Sequence, residues 1–424
     1  MTASTPGIAP ELRRARGAVA AMFLTNGALL ANLLPRYPEI KAALGLDNAT
    51  YGLVLACFPA GAIVAGLGAG AAIRRLGSAR AAVIGTALTA LGLLLAAWAP
   101  VAGVLALALL LAGACDAITD VAQNAHGLRV QRRYGRSIIN SFHALWSVGA
   151  LTGGVMATAA IALEVPLRWH LTASGLLFTV VALVALRSAL PGRDGDDAVP
   201  AQTEHAPADG SRATRRILGV AVRRPAIILG ALVVIALGGT LAEDSGNSWA
   251  TLYLSRDLGA PSTLAATGFI ALVGAQFLGR LLADGMVDRF GQRTVARTGG
   301  AIIAAGMGLA LAVPTVPGTI AGFALAGFGS ASLVPAAMQE ADDLPGLPAG
   351  TGLTVVSWLM RLGFLLSPPL VGLVADAAGL RVGLLVVPLA GLMVVLLAGM
   401  LSPRRTVGAD EEAVLAATRA DPTR

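Results

Sequence analysis

Charge is scarce in this chain. Of 424 residues only 13% are Asp, Glu, Lys or Arg, while 56% are hydrophobic and the mean hydropathy is +0.74. No soluble core can hide that much apolar surface, so an ordinary water-soluble enzyme or binding domain is excluded. Cysteine is nearly missing as well. Cys57 and Cys115 lie in apolar segments without C-x-x-C spacing, which excludes a disulfide framework and leaves no thiolate metal site. There is no G-x-x-x-x-G-K-[ST] loop to hold the phosphates of ATP. Neither a nucleophile with its base nor a set of metal ligands is grouped in one place, so no catalysis, metal or cofactor is expected. The formal charge of +7 comes from arginines in short clusters between apolar runs, without a folded basic domain, and nucleic acid is not an expected partner.

What the chain does have is a succession of apolar runs. A helix crossing a hydrocarbon core about 30 Å thick needs about 20 residues. With Gly, Pro and charge as punctuation, helices are predicted near 17–35, 49–73, 80–99, 101–127, 138–162, 167–190, 225–245, 262–286, 297–314, 318–340, 350–374 and 382–402. Arg13, Arg14 and Arg16 before the first run imitate a secretory leader, but with no clean cleavage site and eleven further runs the segment is expected to be a permanent helix. Arginine alternates sharply between connections. One set holds Arg74, Arg75 and Arg80, Arg129 to Arg136, Arg187 to Arg224, and Arg289 to Arg297; the other holds only Arg36, Lys41, Arg168, Arg256 and Arg381. The positive-inside bias therefore predicts a multi-pass inner-membrane protein with both termini cytoplasmic.

Residues 191–216 are rich in Asp, Pro, Ala, Gly and Arg and show no apolar period, as expected of a flexible linker. The expected layout is a tail over 1–16, a six-helix bundle over 17–190, a cytoplasmic linker over 191–224, a second bundle over 225–402, and a tail over 403–424. The bundles read as copies. Gly77, Gly85 and Gly92 recur as Gly291, Gly299 and Gly306, and the same offset of about half the chain pairs Arg75 with Arg289 and Gly149 with Gly363. Two similar bundles can rock about a site near the midplane, exposing it to one side at a time.

In the second half, Asp288-Arg289-Phe290-Gly291-Gln292-Arg293 resembles the D-R-x-G-R-R loop of the major facilitator superfamily, and the resemblance extends over essentially the whole chain. It implies an all-α membrane protein of twelve transmembrane helices in two pseudo-symmetric bundles, with Asp288, Arg289, Gly291 and Arg293 in a conformational loop. The first-half copy, with Arg75 and Gly77, departs from the pattern because Arg74 stands at the acidic position. Arg36 to Lys41, Asp120 with Asn124, Ser141 to Trp146, Asn247 to Trp249 and Gly363 to Pro369 are similar to a bacterial branch near the fucose and proton symporters. That likeness implies a monomeric secondary transporter taking a small molecule across the bilayer with protons.

An ionisable side chain at mid-bilayer costs at least about 2.5 kcal/mol, so each should face protein or water and find a partner. Asp116, Asp120, Gln123 and Asn124 fall on one face of helix four, suited to a cavity wall or to packing against helix five. His143 and Trp146 enter on helix five. Asp120 and His143 could exchange a proton or form a static hydrogen bond. Arg361 cannot shed its charge and needs an anion, either a substrate carboxylate or an internal acid such as Asp116, Asp120 or Glu340. Gln276, Arg280 and Asp284 are spaced by one turn on helix eight, which predicts an Arg280–Asp284 pair. Glu243, Asp244, Asn247 and Trp249 are expected at the outer mouth of helix seven, facing Asn26 and Asn32 of helix one. Trp146, Trp249 and Trp358 could stack on a ring. A proton-driven exporter, a passive channel and a solute sensor are the competing functions; an exporter is weakened because Gly149, Gly153 and Gly154 lack the proline of the exporters' helix-five motif.

Overall fold

The computed structural model describes residues 9–134, 138–192, 215–217, 220–222, 225–344 and 351–402. It contains 12 helices long and apolar enough to cross a membrane. Spans 1 to 6 are Pro10–Ala43, Asn48–Gly66, Ser78–Ala97, Ala102–Tyr134, Ser141–Ala162 and Leu167–Leu186. Spans 7 to 12 are Pro225–Asp257, Ser262–Ala283, Gln292–Ala312, Val316–Asp342, Thr354–Ala378 and Leu380–Met400. Every predicted run is present, and the differences lie at ends and breaks. The first helix starts at Pro10, where proline at N1 needs no N–H partner. Span 2 stops at Gly66, before a separate helix Ala69–Leu76. Span 4 continues to Tyr134, long enough at 33 residues to rise well beyond the hydrocarbon. Spans 10 and 11 are interrupted at Ala331–Ser332 and Met360. Of the expected linker, Arg215–Ile217 and Val220–Val222 form a short antiparallel pair, while 193–214, like the tail 403–424, lies outside the described residues.

The two six-helix bundles repeat one another in contacts as well as in order. Gly77 (φ 81°) and Gly291 (φ 80°) each end one helix and begin the next, a backbone that a β-carbon would strain. A Cβ on Gly149 would collide with the Leu24 carbonyl where span 5 crosses span 1, and one on Gly363 would collide with the Thr240 hydroxyl where span 11 crosses span 7. Small residues let helices approach where lipid supplies no hydrophobic drive between them.

All spans alternate between the face carrying the termini and a far face. The halves are sealed at the far face. Asp376, ending span 11, accepts from the Asn48 and Ala49 amides at the start of span 2 (3.0 and 2.7 Å). The remaining N-terminal amide of that helix is capped by Asp47, which accepts from Thr50 N at 2.6 Å; that bond holds the Asp47 carboxyl below its ordinary range. Deeper in, Tyr37 packs edge-on against Tyr51, and Tyr51 against the fully buried Trp249 of the other half (centroids 6.1 and 4.9 Å). Tyr51 Oη donates to the Ser248 carbonyl at 2.9 Å. Toward the termini face no comparable seal forms among the described residues, and there the halves part: Thr351–Leu359 packs chiefly on spans 7 and 10 of its own half, and His143 is exposed.

Candidate functional site

Two polar clusters lie on the seam between the halves. In the first half, Asn26 of span 1 is the junction. Its Nδ2 donates to Asp116 Oδ1 at 2.7 Å, and its Oδ1 accepts from Trp146 Nε1 at 2.9 Å and Gln123 Nε2 at 3.3 Å. One turn along span 4, Asp120 Oδ1 accepts from Asn124 Nδ2 at 3.0 Å and Gln123 Nε2 at 3.4 Å. The network exists because Asp116, Asp120, Gln123 and Asn124 share a face and because Gly27, Gly149 and Gly153 let spans 1 and 5 touch, bringing the Trp146 indole to Asn26. His143 stands one turn nearer the termini face, edge-on to Phe23 (5.2 Å) and within the electrostatic reach of Asp120 and Arg280. Among the described residues it has no hydrogen bond to Asp120.

In the second half, Gln276 Nε2 donates to Glu243 Oε2 at 2.7 Å, and Arg280 Nη2 lies 3.7 Å from the same oxygen. Arg280 also reaches across the seam to Ser147 Oγ at 3.5 Å. Arg280 thus has an anion on span 7; the Asp284 side chain, its expected partner, lies outside the described residues. Arg361 sits at the interruption of span 11. Its position is set by Thr240 Oγ1, which donates to the Met360 carbonyl at 3.2 Å, and by Gly363 beneath that hydroxyl. The half-buried guanidinium makes no hydrogen bond or ion pair to any described residue, while its charge is felt at Asp120.

Several expected residues are placed elsewhere. Span 7 does not stop at 245; Glu243, Asp244 and Asn247 are therefore mid-span rather than an outer mouth, because their polar side chains turn toward protein and the helix runs on to a π-turn at Tyr253–Asp257. Trp249 cannot offer its face to a ligand, being buried in the far-face seal, and the buried Asn247 Oδ1 has no partner there. Asn32 is fully buried and joins span 1 to His170 of span 6 (2.8 Å), away from the seam. Glu340 accepts from Ser402 N and Oγ (2.9 and 3.2 Å) at the termini face, so it is not Arg361's counter-ion. Trp358 is 49% exposed one turn before Arg361. Sequence reasoning missed Ser147, Thr240 and Asp376; Ser147, one turn after His143, carried the readable signal.

The loop residues also divide. Arg75, Asp288 and Arg289 are exposed, with Arg289 over the Phe290 ring, whereas Arg293 Nε donates to the Leu401 carbonyl at 2.9 Å. Beside Gly291, Gln292 Nε2 donates to Gln339 Oε1 of span 10. The first-half counterpart is Ser78, bonded to His126 Nδ1 of span 4 at 2.9 Å.

The model of the Major Facilitator Superfamily matches residues 19–284 and 244–421 of this chain. The transporter y4wD of Sinorhizobium fredii is 31% identical over 388 residues, covering 90% of this chain and 97% of that protein. The membrane protein MosC of Rhizobium meliloti is 29% identical over 377 residues, 89% of this chain and 88% of its own. Among solved structures, the nucleoside transporter NupG superposes with a TM-score of 0.67 at 15% identity, covering 90% of this chain and 98% of that one. A bacterial homologue of the human lysosomal transporter Spinster, in an inward-facing and occupied conformation, gives 0.67 at 14% identity over 93% and 97%. At such identities these two show a common fold alone. Family match, curated relatives and twelve-span architecture agree: this chain belongs to the major facilitator superfamily and is a multi-pass membrane transporter of that class.

Proposed function

We propose that this chain is a proton-coupled secondary transporter that moves a small polar solute by alternating access, as a monomer whose two bundles form the seam. The observation that carries the reading is a seam lined by polar side chains from both halves and sealed, among the described residues, at one face. Such an arrangement suits a carrier, in which the seal must open when the other end closes. The arginine bias puts the termini in the cytoplasm, so the parted end faces inward across the inner membrane. The hairpin glycines Gly77 and Gly291, joining spans 2 to 3 and 8 to 9, are natural places to absorb the change.

Asp120 and His143 are the proposed proton site. They stand close enough to feel each other's charge without a direct bond, which leaves both free to change protonation as spans 4 and 5 move. The likeness to the fucose and proton symporter branch favours uptake over export.

The carrier reading is tested by counterflow in proteoliposomes: labelled solute should accumulate transiently against its own gradient only when unlabelled solute is inside. Solute passing at a rate proportional to its gradient, with no counterflow, would show a channel. For the proton site, His143→Gln should flatten the dependence of transport on pH, and Asp120→Asn should uncouple it; an unchanged pH profile in both removes the assignment.

A further inference from the structure

We infer that the solute is a small carboxylate bearing hydroxyl or ammonium donors, with its carboxylate on Arg361 and its donors on Asp116 and Asp120. This rests on the carrier reading above and names what the seam takes. Glu243 is occupied by Gln276 and Arg280, and Glu340 by Ser402. Asp116 and Asp120 each receive their bonds on Oδ1 from neighbours in their own half. Arg361, whose five N–H donors never lose their charge, has no bond to any described residue.

Among the described residues, the wall of one half therefore presents two carboxyl oxygens without a bonded partner, Oδ2 of Asp116 and of Asp120, which accept when ionised. The facing wall presents a guanidinium that only donates. A neutral polyol satisfies the first wall and leaves the guanidinium without a bonded anion; a simple cation does the same and is repelled by Arg361. A carboxylate with donors satisfies both walls at once, and bidentate pairing with the planar fork fits that anion's geometry. Its binding draws the halves together at their parted end, which is the motion a carrier needs.

The full-length protein in nanodiscs is to be titrated, by thermal unfolding midpoint, with D-gluconate, D-galacturonate, L-lactate, L-serine and L-threonine beside the uncharged D-galactose, glycerol and propane-1,2-diol. At least one acid should raise the midpoint where its uncharged counterpart does not, and whether hydroxy or amino acids succeed identifies the donor. Arg361→Gln should weaken that acid at least about 30-fold, the range for removing one partner of a desolvated charge pair. Arg361→Lys should keep part of the affinity, and the ligand-free unfolding midpoint of each variant, unchanged from the wild type, shows that loss of binding is not loss of fold. A protein that no acid stabilises, one stabilised equally by the neutral counterparts, or an Arg361→Gln variant that binds like the wild type overturns the inference. Counterflow of a neutral solute would sink this substrate class and leave the carrier standing. An acid that binds through Arg361 without counterflow would sink the carrier reading instead.

Discussion

The crossing of spans 1 and 5 and the crossing of spans 7 and 11 occupy equivalent places in the two halves, and they use one packing device for different electrical ends. In each, a glycine on the later span, Gly149 or Gly363, lets the earlier span come into contact. In each, a polar side chain of the earlier span, Asn26 or Thr240, bonds to the later one. Asn26 has an amide, so it can serve Trp146, Gln123 and Asp116 together and hold a row of acids in place. Thr240 has only a hydroxyl, shared between the Leu237 carbonyl of its own helix and the carbonyl at the break before Arg361. Shape has been kept and charge has diverged, one wall ending in carboxylates and the other in a guanidinium. The same divergence is visible at the hairpins, where Ser78 with His126 stands opposite Gln292 with Gln339.

The glycines offer the harshest way to break the comparison. Gly149 abuts a main-chain carbonyl, which cannot turn aside, so Gly149→Ala should cost about 3 kcal/mol or more of stability, at the upper end for overpacking. Gly363 abuts chiefly a hydroxyl that can rotate or be removed, so Gly363→Ala should cost less and be partly rescued by Thr240→Ala, which leaves the Thr240 Cβ 2.9 Å from the new methyl. Thermal unfolding of the three proteins measures this; equal damage at both glycines, or no rescue, would show that the crossings are not built as described.

A smaller effect separates the acids. Glu243→Gln leaves Arg280 without its counter-ion and should cost about 1 to 2 kcal/mol, reduced from the value of a deeply buried pair because Arg280 is 38% exposed. The loss should be recovered in the double variant with Arg280→Gln. Asp116→Asn strands no cation and should be close to neutral for stability while impairing transport. The far-face seal is expected to be weaker still: Asp376→Ala removes a cap supplied from the other half and should cost about 1 kcal/mol. A double-mutant cycle with Asp47→Ala would show whether the two carboxylates cap span 2 independently.

The smallest effect is a matter of pH. Because Asp47 is held below its ordinary range, its contribution is complete above the pKa of the unfolded chain and is lost as pH falls through the lower folded value. The stability gap between wild type and Asp47→Ala should be constant near neutrality and close in acid. A gap that widens on acidification would contradict the cap.

Hydropathy alone placed all twelve spans, since a bilayer demands long apolar runs and the loops of this chain are marked by arginine. The half-chain repeat was readable because glycine at a helix crossing or at positive φ tolerates no substitute. Boundaries were lost where polar residues lie on the inner side of a span: Glu243 to Asn247 read as an exit, although a helix whose polar face meets protein has no reason to stop. Asn26 and Asp116 were both legible as membrane polar residues, but their pairing was not, because it depends on Gly27 and Gly149 bringing three helices together. Arg361 showed that it needed an anion. Only the structure shows that Glu340, an apparent candidate, is held by Ser402 at the termini face.

That fastening of chain ends has a mechanical corollary. His126 accepts from Leu190 N, and Arg129 grips the Pro191 and Gly192 carbonyls, so the strand leaving the first bundle is tethered to the base of span 4 before it sets out toward the second. That base belongs to the rod that bears Asp116 and Asp120 some turns higher, so in the carrier proposed above any pull on the exit of the first bundle would be delivered toward those acids.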